Sequence, residues 1–115
     1  MAERTGLAIG RDERDGAIIL TLEGDVDMSC SPALREAIRR AQDARPKRLV
    51  VDLSRVEYMD SSGLATLVEA MKVTRAQKAV LVLCNMNAKV RAIFEIARLH
   101  HYFTITGTVE DALVG

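Results

Sequence analysis

The 115-residue chain predicts an α/β fold built on a mixed, mostly parallel sheet. Three observations carry that reading. Short apolar runs alternate with stretches of helical period in the order ββαβαβαβα. The Asp15-Gly16 pair has the chemistry of a tight hairpin between the first two strands. The later run Val80 to Leu83 is continuously apolar, as in a strand covered on both faces, and Leu49 to Leu53 is apolar but for Asp52. Parallel strands need long crossovers, and the intervening helical segments of ten to fifteen residues supply them.

The elements follow in order. A short strand around Leu7–Ile9 pairs through the hairpin with Ala17-Ile18-Ile19-Leu20-Thr21-Leu22, which is rich in β-branched side chains. After the turn Glu23 to Asp27, Ser31 is expected as an N-cap with Pro32 at the first helical position. Leu34, Ala37, Ile38 and Ala41 then line one helix face. Pro46 stops this helix, because a residue before proline is pushed out of the α region.

The strand 49–53 leads to a second helix from about Ser62 to Ala76, with Leu64, Leu67, Val68 and Met71 inward. Asn87 caps a third helix whose inner face is Val90, Ile93, Phe94 and Ala97. Tyr102 to Ile105 reads as the last strand, and Thr108 with Asp111 as the start of a last helix. No linker, repeat or low-complexity segment interrupts the chain, so residues 1–115 are expected to form a single domain.

Composition narrows the function. Hydrophobic residues make up 49% and charged residues 28%, an ordinary soluble balance. Sixteen basic residues offset sixteen acidic ones, and aromatics are only 3%, so a nucleic-acid surface is not expected. The local run Arg35, Arg39, Arg40, Arg45, Lys47 and Arg48 reads as a solvated face. Cys30 and Cys84 are too few and too far apart to suggest a disulfide framework, which fits a cytoplasmic setting. No apolar stretch reaches the ~18 residues of a membrane span.

Catalysis lacks its parts. Met59-Asp60-Ser61-Ser62-Gly63 is missing the first glycine of a nucleophile elbow. The two histidines, His100 and His101, fall together after the third helix, where nothing in the sequence sets them beside the serines. No metal-ligand spacing, phosphate loop or dinucleotide pattern is present. The expectation is a chain that is not an enzyme and holds no cofactor.

What remains is a pair of hydroxyls at a helix start beside an acid. Free N–H groups and the helix dipole would favour an anion on Ser61 or Ser62. Phosphorylation adds roughly −1.5 to −2 charges, enough to turn a docking face repulsive. The simplest alternative is that Asp60, Ser61 or Ser62 only caps the helix, and that Asp25 and Asp27 are turn residues with Gly24 at a positive φ. Capping and switching are compatible.

Four segments, Gly24-Asp25-Val26-Asp27, Ser31-Pro32-Ala33-Leu34, Val51-Asp52-Leu53-Ser54 and Tyr58-Met59-Asp60-Ser61-Ser62-Gly63-Leu64, together resemble the domain shared by sulfate transporters and anti-sigma factor antagonists, called STAS. The match runs from about Ile18 to Ile105. The resemblance implies a stand-alone bacterial anti-sigma factor antagonist, monomeric or weakly dimeric. In that family a GHKL-type serine kinase doubles as the anti-sigma factor. It binds the unmodified antagonist, thereby frees its sigma factor, and phosphorylates the first hydroxyl residue after the aspartate. That position is matched here by Ser61, with Ser62 the second choice, and a PP2C-type phosphatase reverses the modification.

By the same resemblance Asp25, Asp27, Asp60, Ser61, Ser62 and Gly63 form the partner-binding set, Asp25 replacing a usual Glu. ATP and its metal belong to the kinase. Three departures from the family pattern stand out: Arg75 to Ala79 lacks a Gly-Gly pair, Ala65 replaces a glycine, and Arg98 replaces another. Two further readings are an unphosphorylated STAS subunit of an ABC-type lipid-transport complex and a sensor domain for a nucleotide or small apolar ligand.

Overall fold

A computed structural model describes residues 6–114. Strands β1 (Ala8–Arg14) and β2 (Ala17–Glu23) are followed by α1 (Ser31–Asp43), β3 (Arg48–Arg55), α2 (Ser61–Ala76), β4 (Val80–Cys84), α3 (Ala88–Ile96), β5 (Thr104–Thr106) and α4 (Val109–Val114). The strands lie in the order β1-β2-β3-β4-β5 in one sheet. The β1/β2 pair is antiparallel and every other pair parallel, as the sequence predicts. Asp15 and Gly16 turn the hairpin with φ of 52° and 84°, the two positive angles a type I′ turn requires.

Right-handed crossovers between strands added in one direction place successive helices on one face. The buried side chains agree. Ile18, Leu20 and Leu22 of β2, Leu49, Val51 and Leu53 of β3, and Leu81 and Leu83 of β4 form one cluster with Leu34 and Ile38 of α1, Leu67 and Met71 of α2, and Val90 and Phe94 of α3. The alternate positions Ile19, Val50, Val82 and Cys84 point to the other face, where Ala112 of α4 covers them. A buried Gln42 ties α1 to α2, its amide Nε2 donating to the Ala70 carbonyl at 3.1 Å and to Thr74 Oγ1 at 3.0 Å.

Several boundaries depart from the sequence reading. β1 extends to Arg14 rather than stopping near Ile9, because its whole length pairs with β2 from Ala8↔Glu23 to Arg14↔Ala17. Cys30, not Ser31, is the N-cap of α1, and no side chain caps that end. Ser31 is instead the first helical residue. The last strand starts at Thr104, since the N–H groups of Tyr102 and Phe103 are held by the Leu99 carbonyl at 2.9 and 3.3 Å. Ala97 is exposed at the end of α3 rather than facing the core, and Val80 is partly exposed at the start of β4. The expected caps at Asn87 and Thr108 are present, with Val90 N–H on Asn87 Oδ1 at 2.8 Å and Asp111 N–H on Thr108 Oγ1 at 3.0 Å.

Candidate functional site

The loops that leave β2 and β3 at their carboxyl ends are stitched together. Gly24 N–H donates to the Arg55 carbonyl at 3.0 Å, Val26 N–H to Tyr58 at 2.9 Å, and Asp60 N–H to Val26 at 3.0 Å. The resulting Val26↔Met59 bridge is parallel. Val26 and Met59 are fully buried, whereas Asp25, Tyr58 and Asp60 reach the surface, the alternation of extended chain. Gly24 adopts φ of 122° and lies against the Gly6 carbonyl so closely that a Cβ would collide with it, so glycine is required for a steric reason as well as a conformational one.

Asp60 is the N-cap of α2. Its Oδ1 accepts from Ser62 N–H at 2.9 Å, Gly63 N–H at 3.2 Å and the Ser62 hydroxyl at 2.6 Å. The Ser62 hydroxyl is the chief reason the carboxyl titrates below its ordinary value; partial burial opposes it, and the Gly63, Ser62 and Met28 N–H groups assist. Three of the first-turn N–H groups expected to welcome an anion are already occupied: Leu64 N–H goes to the Asp60 carbonyl at 3.2 Å, and Asp60 Oδ1 takes those of Ser62 and Gly63. An added anion meets the Asp60 carboxylate there, with those three donors already used.

The two serines differ. Ser61 is exposed and its hydroxyl bonds to no described residue. Ser62 is half-buried and its hydroxyl is given to Asp60. Gly63 is buried, and a Cβ on it would stand 2.7 Å from both Met59 Cγ and Val26 Cγ1. It lets the helix start sit directly on the bridge.

Asp27 is half-buried and organises its own turn, its Oδ1 accepting from Ser29 N–H at 2.9 Å and the Ser29 hydroxyl at 2.6 Å. Its carbonyl accepts from Cys30 and Ser31 N–H, each at 3.1 Å. Asp25 is exposed with no side-chain bond among the described residues. The structure thus brings all six sequence-selected residues, Asp25, Asp27, Asp60, Ser61, Ser62 and Gly63, to one end of the sheet.

Sequence reasoning passed over two neighbours. Met28 is 75% exposed and Tyr58 50% exposed, both on these same loops. Tyr58 stands two residues before Asp60 in an extended stretch, a spacing that could have placed it on the same side. Elsewhere, His100 and His101 occupy the turn between α3 and β5, with no bond to either serine. Half of the basic run is seen in ion pairs: Arg35 meets Glu69 at 2.9 Å, and Arg39 and Arg40 meet Glu36 at 3.7 and 3.0 Å. No helix among the described residues is long and apolar enough to cross a membrane, and no group of three or more potential metal ligands occurs among them.

A five-stranded sheet with one antiparallel edge, three helices on one face, and a capped serine pair where β3 enters α2 has the form of a STAS domain. A family model described as the STAS domain matches residues 8–112, and the chain belongs to that family. It is 34% identical over 94 residues to the anti-sigma-B factor antagonist of Listeria monocytogenes, covering 81% of this chain and 82% of that protein. It is 31% identical over 104 residues to the anti-sigma-F factor antagonist RsfB of Mycobacterium tuberculosis, covering 90% and 84%. A crystal structure of an anti-sigma factor antagonist from Mycobacterium paratuberculosis matches with a TM-score of 0.86 at 27% identity, over 93% of this chain and 91% of that one.

Proposed function

We propose that the chain is a cytoplasmic anti-sigma factor antagonist whose unmodified form binds an anti-sigma serine kinase of the GHKL type and so releases a sigma factor. Phosphorylation of Ser61 ends the binding, and a PP2C-type phosphatase restores it. The single observation that carries this reading is the exposed Ser61 hydroxyl, without a bond among the described residues, on a helix start capped by Asp60. The names of the relatives support the regulatory class.

The physics of the switch is electrostatic. Asp25, Asp27 and Asp60 give the surface around Ser61 an acidic character, which suits a basic partner surface. A phosphate adds roughly −1.5 to −2 charges. The helix N-terminus does little to absorb it, because Asp60 already takes the Ser62 and Gly63 N–H groups, so the charge projects toward the partner. Like charge and lost desolvation at an interface cost several kcal/mol, and each ~1.4 kcal/mol is tenfold in affinity.

The test is titration calorimetry of the chain against a purified GHKL-type anti-sigma kinase from the same organism. The unmodified chain should bind, and Ser61→Asp should bind at least a hundredfold more weakly with an unchanged circular dichroism spectrum. Equal affinity of the two would refute the switch.

A further inference from the structure

We propose that Asp60 selects between the two adjacent serines: its carboxylate holds the Ser62 hydroxyl and leaves Ser61 as the group free to accept a phosphoryl group. This rests on the reading of the site as a phosphorylation switch and deepens it by naming the residue that directs the modification. Asp60 is a positioning residue here, acting on the outcome through Ser62.

The geometry gives each serine a different starting point. Phosphoryl transfer from ATP forms a bond from the serine Oγ to the γ-phosphorus and breaks the bond from that phosphorus to the β–γ bridging oxygen. ADP leaves, and the hydroxyl proton passes to a base supplied by the kinase. Ser61 can present its Oγ with no bond to a described residue to break, because it is exposed and its hydroxyl has no partner among them. Ser62 must first give up a 2.6 Å hydroxyl-to-carboxylate bond, the short, charge-assisted kind. It must also turn out of a half-buried position in a residue whose carbonyl is held by Thr66 Oγ1 at 2.8 Å.

Nor does Asp60 serve Ser62 as a base. The carboxylate is committed to two backbone N–H groups besides the hydroxyl, and all three bonds favour its ionised, unprotonated form. A group stabilised in that way is a weak proton acceptor near neutral pH. The bond therefore restrains Ser62 rather than activating it. Breaking such a bond is expected to disfavour Ser62 by roughly tenfold or more.

The test incubates the full chain with Mg-ATP and a GHKL-type anti-sigma serine kinase of the same organism, and locates phosphate by fragment mass spectrometry. The wild type should carry phosphate on Ser61, and Ser61→Ala should take up phosphate at least tenfold more slowly without transfer to Ser62. In Asp60→Asn, which keeps a capping side chain but loses the charge, the ratio of Ser62 to Ser61 phosphate should rise about tenfold. That ratio is internal to one molecule, so weaker kinase affinity or lower stability does not move it.

A second measurement needs no kinase. Following the Asp60 carboxyl by NMR, Ser62→Ala should raise its pKa toward the ordinary value, and Ser61→Ala should leave it in place. An unchanged ratio in Asp60→Asn, labelling of Ser62 in Ser61→Ala at the rate of Ser61 in the wild type, or an unmoved Asp60 titration in Ser62→Ala would each overturn the selection. Phosphate on neither serine of the wild type would overturn the switch itself and the selection with it, a result distinct from phosphate on the wrong serine.

Discussion

At Gly63 a methyl group would meet Met59 Cγ and Val26 Cγ1 at 2.7 Å, and both neighbours are fully buried. Gly63→Ala is therefore expected to destabilise the fold by about 1–2 kcal/mol, the overpacking cost reduced by the better helix propensity of alanine. Urea unfolding checks this, and a midpoint at or above wild type would show that Val26 and Met59 yield freely. That Asp60, Ser61 or Ser62 caps the helix was legible from sequence, since an acid and hydroxyls at a strand-to-helix junction form a cap pattern, and Asp60 is the one that does. The division of labour between the serines was not. It depends on which hydroxyl the carboxylate reaches, a matter of side-chain direction at the first two helical positions.

Helix ends tell a different story from helix starts. Asp60, Asn87 and Thr108 cap α2, α3 and α4 with side chains the sequence announces. The C-terminal ends of α1, α2 and α3 instead place Arg45, Lys78 and Arg98 at φ of 54°, 61° and 60°, a left-handed region that glycine normally takes. After α3, Arg98 N–H bonds to Glu95 at 3.0 Å and Leu99 N–H to Phe94 at 2.8 Å. After α2, Lys78 N–H bonds to Arg75 at 2.9 Å and Ala79 N–H to Thr74 at 3.0 Å. Both are the paired bonds of a Schellman ending.

The turn without Gly-Gly and the replaced glycine at 98 thus keep the geometry and lose only the residue that suits it. Their positive charge partly offsets the strain by facing the negative end of the helix dipole. Arg98→Gly is expected to stabilise the protein by about 0.5–1 kcal/mol, relief of left-handed strain less the flexibility and charge given up. Thermal unfolding by calorimetry checks it; a lower midpoint would mean the arginine contributes more than its strain costs.

Across the whole molecule, one sheet sorts its side chains into two cores by alternation. The larger core lies under α1, α2 and α3, and the smaller one, Ile19, Val50, Val82 and Cys84, lies under α4. Cys84 is fully buried there, and its thiol is pushed up to about 12, first by burial and then by the charges of Asp52 and Glu110. The unfolded chain releases this proton nearer the ordinary value of 9.0, so above it the folded state binds more protons than the unfolded. Stability should therefore fall as pH rises from about 9 toward about 12. Cys84→Ala should flatten that part of the profile in urea unfolding at graded pH; an unchanged slope would assign the loss to other groups.

Sequence alone determined the order of elements, the hairpin, the parallel sheet and the junction at Asp60, because period, turn chemistry and capping are local properties of neighbouring residues. Tertiary structure decided what depends on residues far apart. The Val26↔Met59 bridge sets Asp25 and Tyr58 beside Asp60, Gln42 joins Thr74 across two helices, and α4 is committed to the face the other helices leave open. Each arises from close packing and hydrogen-bond satisfaction between segments whose sequence separation hides their contact.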